Sequence, residues 1–422
     1  MEDGTFLTDD FLRQLINVGE VDILVGLPTH NNARTVGSIV QTIRSGILRS
    51  FPRERAVIIN ADGGSRDGTP ELVRALAIDD ARPVSNLYAL RTLHAISTKY
   101  ASAPQSAVAL RTILAAAELL RAKACIVISP ESENVQPEWI SSLLRPVINE
   151  GFDLVSPTYR RHKFDGLLMT NLLYPMVRAL YGIRVREAYM PDFGFSGRLG
   201  SQFLSQNGWH EGIGENGIEL RFTLAAITGG FGICQSFLGD KEHVERRAAD
   251  LVPTLRQTVG VLFSVLESDF QAWSAVSGSK PVPTAGSGEE VLLDPLRVNR
   301  KRLREMFTTG VNELGSVFQS ILAPSTLAEL HRIAGMGDEE FRYPAELWVR
   351  TVYEFAAAYR KSVINRDHII QALAPLFRGR VLTFLVENRN GSANDVANNI
   401  EGLCLEFERL KPYLLEIWKS KE

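Results

Sequence analysis

The sequence predicts an α/β fold, a mostly parallel sheet covered by helices, followed by an α-helical C-terminal domain. Three observations carry this. Short apolar runs rich in Val, Ile and Leu alternate with helix-period segments over residues 21–159. Polar turns end three of those runs, at Pro28-Thr29-His30-Asn31, Asp62-Gly63-Gly64-Ser65 and Ser129-Pro130-Glu131. A Ser/Gly/Pro-rich stretch, "SGSKPVPTAGSGEE" (277–290), precedes a region whose apolar spacing is helical throughout.

Each element has its own reason. Residues 1–20 form a short acidic N-terminal segment, expected to be helical. "VDILVGLP" (21–28) reads as a buried strand. "ARTVGSIVQTIRSGIL" (33–48) places Val36, Ile39, Val40, Ile43 and Ile47 on one helical face. "RAVIINAD" (55–62) is the second strand. "DGTPELVRALA" (67–77) opens a helix, with Thr69 as candidate N-cap, Pro70 at the first helical position and Glu71 in the first turn. "SNLYALRTL" (85–93) is expected as the third strand and 106–122 as a strong helix. "ACIVIS" (124–129), a helix over 137–151 and a strand over 152–159 complete the alternation. The sheet domain is expected over 21–276, a linker over 277–290 and a helical domain over 291–422.

Composition excludes several classes. The chain has 422 residues, 45% hydrophobic and 23% charged, which suits globular folding into two domains. A net charge of −3, with no long like-charge block, gives no field for nucleic acid. No run resembles a signal peptide, and none is expected to reach the length of a bilayer span, so a cytoplasmic protein without membrane attachment is expected. Cys125, Cys234 and Cys404 are far apart, odd in number and set among apolar neighbours, and read as buried free thiols.

Ligands of parallel sheets gather beyond the C-terminal strand ends, where the three polar turns lie. Asp62-Gly63-Gly64-Ser65-Arg66-Asp67-Gly68-Thr69 puts a carboxylate at a strand tip, then glycines, then a capped helix. That pattern suits a nucleotide base or phosphate. It equally suits a plain strand-to-helix turn with Asp67 as cap. No G-x-x-x-x-G-K-[ST] is present, so a P-loop is excluded. Glu133 reads as a solvated turn residue, and His94, His210, His331 and His368 as structural or exposed.

"LPTHNNARTVG", "NADGGSRDGT", "VISPESENVQPEWI", "DFGFSGRL" and "LGDKEHVER" occur in the order found in GT-A fold glycosyltransferases. "LHAISTKY", "FDGLLMTNLLYPMVRALYG" and "RDHIIQALAPLFRGRV" narrow this: the chain resembles the glucosylglycerate synthase and glucosyl-3-phosphoglycerate synthase group over about 18–400. The resemblance implies a GT-A sheet with a C-terminal helical domain. It places Pro28, Thr29 and Asn32 around a nucleotide base, with Asp62 and Gly63 beneath it. It places Glu131 and His243 on Mg²⁺ or Mn²⁺. It gives Asp192 and Glu219 to the sugar and the reacting centre. Arg161, Thr170 and Asn171 fall to a small acidic acceptor such as glycerate or 3-phosphoglycerate. The implied partners are a UDP- or GDP-hexose and a second copy of the chain, and the implied chemistry is transfer with retention.

The sequence departs from that pattern at three places. The family's Asp-x-Asp reads Ser129-Pro130-Glu131, the lysine of its Gly-Lys-Gly reads Ser106, and a glycine pair reads Met190-Pro191. Two readings therefore stand side by side: a metal-dependent retaining glycosyltransferase, and a catalytically silent relative that binds a nucleotide or a partner.

Overall fold

The computed structural model describes residues 7–75, 93–99, 106–132, 134–206, 217–240, 251–286, 299–337 and 339–420. By packing, the chain divides into two compact units whose segments interleave. One comprises 1–159, 189–244 and 282–288; the other comprises 160–188, 245–281 and 289–422.

The strands are β1 (Ile23–Thr29), β2 (Ala56–Asp62), β3 (His94–Lys99), β4 (Ala124–Val127), β5 (Leu154–Arg160), β6 (Ile183–Arg184), β7 (Phe193–Ser196), β8 (Ile233–Asp240), β9 (Lys280–Pro281) and β10 (Thr284–Ala285). Eight of them form one sheet in the order β10-β8-β5-β7-β4-β1-β2-β3. β3, β2, β1 and β4 run parallel to one another, and β7 runs antiparallel to both β4 and β5. The architecture is the mostly parallel α/β sheet that the sequence predicts.

The apolar runs become central strands because both faces are covered. Every residue of β2 is buried, as are Ile23 to Leu27 of β1. One face packs helix Ala33–Ser50 through Val36, Ile39, Val40, Ile43 and Ile47, joined there by Trp139, Ile140 and Leu143 of helix Pro137–Glu150. On β1, a Cβ at Gly26 would lie 2.6 Å from Ile113, so glycine is what lets helix Ser106–Leu119 approach.

Local expectations meet the structure with some shifts. Residues 85–92, read as most of the third strand, lie outside the described residues, and β3 is His94–Lys99. Asp67, not Thr69, caps the short helix Thr69–Ala75: its Oδ1 accepts from the Thr69 amide at 3.1 Å and the Thr69 hydroxyl at 2.6 Å. A carboxylate is the stronger acceptor for orphan N–H groups. The stretch read as a linker carries β9 and β10, and β10 extends the sheet beside β8.

Among its described residues the second unit is helical, apart from the small β6–β9 pair. Helices Ala345–Lys361, Arg366–Glu387 and Ala393–Lys419 are its longest. Its interior holds charge as well as apolar surface. Arg178, fully buried, donates to both oxygens of Glu401 at 2.5 and 2.7 Å and to Glu408 at 2.8 Å. Lys411 donates to the carbonyls of Ala179, Leu180 and Val276. Pairing of this kind is what a buried cation requires.

One expectation is corrected here. Helix Arg366–Glu387 is long and apolar enough, by length and composition, to cross a membrane, and 83% of its apolar window is buried inside the protein. In the sequence Arg378 and Arg380 interrupt the apolar run. Cys125, Cys234 and Cys404 are buried and free, as expected. Burial pushes the thiols of Cys234 and Cys404 up to about 12 and that of Cys125 higher still, so none is a thiolate nucleophile near neutrality.

Candidate functional site

The C-terminal ends of β1, β2 and β4 carry the turns singled out in the sequence, all in the sheet unit. At β2 the Asp62 carboxylate, 1% exposed, builds its own loop. Oδ2 accepts from the amides of Gly64 (2.9 Å) and Ser65 (2.8 Å), and Oδ1 from the hydroxyls of Ser65 (2.5 Å) and Thr29 (3.0 Å). Four donors satisfy the lone pairs of one carboxylate. In this structure Asp62 therefore organises the rim; the surface it offers a ligand is the loop.

The single Thr29 hydroxyl hydrogen is shared between Asp62 and Asn60 Oδ1, the latter at 2.7 Å, and Asn60 Nδ2 donates to Ser97 Oγ at 2.6 Å. A buried polar chain thus crosses three adjacent parallel strands below their tips. Gly63 N donates to the Thr29 carbonyl at 2.8 Å, and Asn32 N to Thr69 Oγ1 at 2.9 Å. Thr29, Asp62 and Gly63 are accordingly one hydrogen-bonded assembly, with Pro28 in the same strand end, while Asn32 is tied to Thr69 after the loop.

The β4 tip is built differently. Ser132 N donates to the Ser129 carbonyl, and Glu131 N lies 3.3 Å from Ser129 Oγ. The turn is closed from a distance by Asp192, which precedes β7 and is fully buried. Its carboxylate accepts from Ser129 N at 2.8 Å, from the Ser132 hydroxyl at 3.2 Å and from the Tyr159 hydroxyl at 2.9 Å. The turn's Pro130 carbonyl accepts from Thr35 Oγ1 at 2.6 Å. Ala33 N, two residues earlier on the same helix, donates to Asp67 Oδ2 at 2.9 Å. The N-terminus of helix Ala33–Ser50 is thereby tied to both the β2 and the β4 turns.

A cleft of about 430 Å³ opens beside the β2 and β3 tips. Its walls include Asp62, Ser65, Ser97, Thr98 and Lys99, together with Phe11 of the N-terminal helix Asp9–Val18 and Arg74 of helix Thr69–Ala75. The hydroxyls give it a polar lining, in which Lys99 and Arg74 stand with the carboxylates of Asp10, Asp62 and Glu71. Ser65, Asn60, Ser97 and Lys99 were not singled out from the sequence. Ser65 stood in the quoted loop, and Lys99 in "ISTKY", but nothing in their spacing marks them as wall residues.

The remaining sequence candidates sit as follows. Glu131 is exposed at the β4 turn, and Glu219 lies in the first turn of helix Ile218–Thr228, where a carboxylate complements the helix dipole. His243 and the side chain of Ser106 lie outside the described residues. Arg161, Thr170 and Asn171 belong to the helical unit. There Arg161 pairs with Glu187 at 3.1 Å, and the Thr170 hydroxyl bonds back to the Gly166 and Leu167 carbonyls. Asn171 is fully buried, takes Arg380 on its side-chain oxygen and gives its carbonyl to Trp348.

A divalent cation needs several hard oxygens. Among the described residues no group of three His, Cys, Asp or Glu side chains is placed to hold one. The β4 turn offers the exposed carboxylate of Glu131 and the neutral Ser129 hydroxyl, while the nearby Asp192 oxygens are taken up by Ser129, Ser132 and Tyr159. The described donors do not by themselves fit a cation.

No protein-family model matches the chain, and no curated protein does. Among solved structures, the chain is similar to glucosyl-3-phosphoglycerate synthase from Mycobacterium tuberculosis in complex with Mn²⁺, UDP-glucose and phosphoglyceric acid. The identity is 19% over 63% of this chain and 84% of that one, with a TM-score of 0.42. The complex of that enzyme with Mg²⁺ and UDP gives 19% identity over 61% and 82%, with a TM-score of 0.42. A further structure of the enzyme gives 20% over 62% and 84%, with a TM-score of 0.40. The likeness is distant.

Proposed function

We propose that the protein is a nucleotide-sugar-dependent glycosyltransferase that moves a hexose to a small hydroxy acid such as glycerate or 3-phosphoglycerate, with retention. The observation that carries this reading is the polar cleft at the C-terminal ends of adjacent parallel strands, beside the rigid Asp62 loop. Parallel sheets bind nucleotides at such ends. The ordered motifs along the chain support the same reading. In it the Asp62 network holds the loop in one shape, so that the base and ribose meet a preformed surface and little ordering is needed on binding. The hydroxyls of Ser65, Ser97 and Thr98 orient the nucleotide. In the transfer itself, holding donor and acceptor in reacting geometry is the principal contribution available to the protein. At the β4 turn the Glu131 carboxylate and the Ser129 hydroxyl are the described oxygens that could contribute to holding a divalent cation, and no step is assigned to one.

The second reading is a nucleotide-binding relative without turnover, favoured by the engaged donors of the β4 turn. Calorimetry with UDP, GDP and ADP, with and without Mn²⁺, followed by turnover of UDP-glucose with 3-phosphoglycerate, separates the two. Binding with turnover is the expected result. Binding without turnover selects the second reading, and absence of binding to every nucleotide sinks both. If Glu131 serves a cation, Glu131→Ala removes the Mn²⁺-dependent part of binding; unchanged Mn²⁺ dependence would remove that role.

A further inference from the structure

We propose that Lys99 is the anion-binding residue of the cleft and takes the diphosphate of the ligand. This rests on the nucleotide reading of the same cleft. Lys99 ends β3, and its Cα pairs in register with Asp62 on β2. An aspartate and a lysine opposite one another on neighbouring strands would ordinarily form an ion pair. Here they do not. The donors to Asp62 are instead the Gly64 and Ser65 amides and the Ser65 hydroxyl of its own loop, with the Thr29 hydroxyl at the end of β1. The Lys99 stem instead runs across Gly64. Its Cε lies 3.2 Å, and its Nζ 3.8 Å, from where a Cβ on that glycine would stand. Gly64 has a φ of +85°, a conformation that glycine adopts freely, so the same residue closes the loop and leaves room for the lysine.

Among the described residues the Lys99 ammonium has no hydrogen-bond or ion-pair partner, and it faces the cleft beside the hydroxyls of Ser65, Ser97 and Thr98. The other charges on the walls are occupied: Arg74 pairs with Glu71 at 3.5 Å, and Asp10 accepts from Gln14. A cation held over a loop, with its neighbouring carboxylate committed elsewhere, is matched by a phosphoryl oxygen, to which it donates a charge-assisted hydrogen bond. No covalent step is involved.

The test is calorimetry with UDP, uridine and inorganic pyrophosphate, with and without Mn²⁺, on the full chain and on Lys99→Met, which keeps the stem and removes the charge. The expected result is about ten- to a hundredfold weaker binding of UDP and pyrophosphate to Lys99→Met, an effect of one charge-assisted contact. Uridine binding should be unchanged, and Lys99→Arg should recover most of the loss. If pyrophosphate binds and weakens in Lys99→Met while UDP and uridine do not bind, the anion site stands and the nucleotide reading falls. If UDP binds the full chain and Lys99→Met alike, the inference is overturned and the nucleotide reading stands. If the full chain binds neither UDP nor pyrophosphate, both are overturned.

Discussion

The turns after β2 and β4 end neighbouring parts of one parallel sheet, and each is closed by a buried aspartate. They differ in where that aspartate comes from. Asp62 lies within its own turn and takes the amides of residues two and three positions on. Asp192 reaches the β4 turn from 63 residues away, with Tyr159 on the same carboxylate. The β2 turn is thus closed by an aspartate of its own, with Thr29 of β1 and the amides of Asn31, Asn32 and Ala33 bracing it from the neighbouring strand end. The β4 turn takes its shape only when β7 has docked beside β4. A ligand-binding loop of the first kind is preformed by its own sequence, and one of the second kind is as rigid as the tertiary contacts behind it.

The largest test of the contrast is Asp62→Ala. It strands the Gly64 and Ser65 amides and two hydroxyls in a buried setting, and should lower stability by about 3 kcal/mol. The readout is the denaturant midpoint of the sheet unit, and nucleotide binding should fall with it. A midpoint within experimental error of the parent chain would show that the loop does not depend on its carboxylate.

Asp192→Ala should follow, at about 2–3 kcal/mol, because Ser129 N and the Ser132 and Tyr159 hydroxyls lose one shared acceptor. Tyr159→Phe removes a single donor and should cost about 1 kcal/mol. Combined with Asp192→Ala it should add little more, since both changes break the same contact. Full additivity in that double-mutant cycle would place Tyr159 outside the clamp and blur the distinction between the two turns.

Gly64→Ala probes the local turn from the backbone side. A side chain at φ +85° should cost about 1 kcal/mol, and its Cβ would push the Lys99 stem aside. Anion affinity should therefore drop by more than the stability change accounts for. A loss of stability with intact pyrophosphate affinity would separate the loop's geometry from the lysine's placement.

How much of this was legible in the sequence follows the same division. The strand–turn–helix rhythm, the face of helix Ala33–Ser50 and the Asp62-Gly63-Gly64-Ser65 loop are statements about near neighbours, and period and turn chemistry reveal them. Asp192 was singled out through the motif resemblance as a sugar contact, yet its clamp on Ser129 and Ser132 depends on strand order, which no local pattern encodes. Lys163 shows the same limit in the helical unit. Set in the basic stretch Arg160-Arg161-His162-Lys163, it is nonetheless buried and donates to the carbonyls of Arg389 and Gly391, just past the end of helix Arg366–Glu387. Lys99 was invisible as a wall residue because the cleft exists only once β3 lies beside β2.

The smallest expected effect concerns Asp67, which joins the local turn to helix Ala33–Ser50. Hydrogen bonds from the Thr69 hydroxyl and, against an opposing desolvation, from the Ala33 and Thr69 amides hold its carboxyl below the ordinary value. The sign follows from linkage. A depressed pKa means that the unfolded chain binds a proton before the folded one, so the contribution is present above the unfolded value near 3.8 and is lost as pH falls through the lower folded value. Asp67→Asn should therefore leave stability near neutrality lower by no more than a capping contact, about 0.5–1 kcal/mol. It should flatten the acid limb of the stability profile below about pH 4. Thr69→Ala should do the same on that limb, because it removes the hydroxyl chiefly responsible for the shift. An acid limb unchanged in both variants would mean that the cap titrates alike in the folded and unfolded chain.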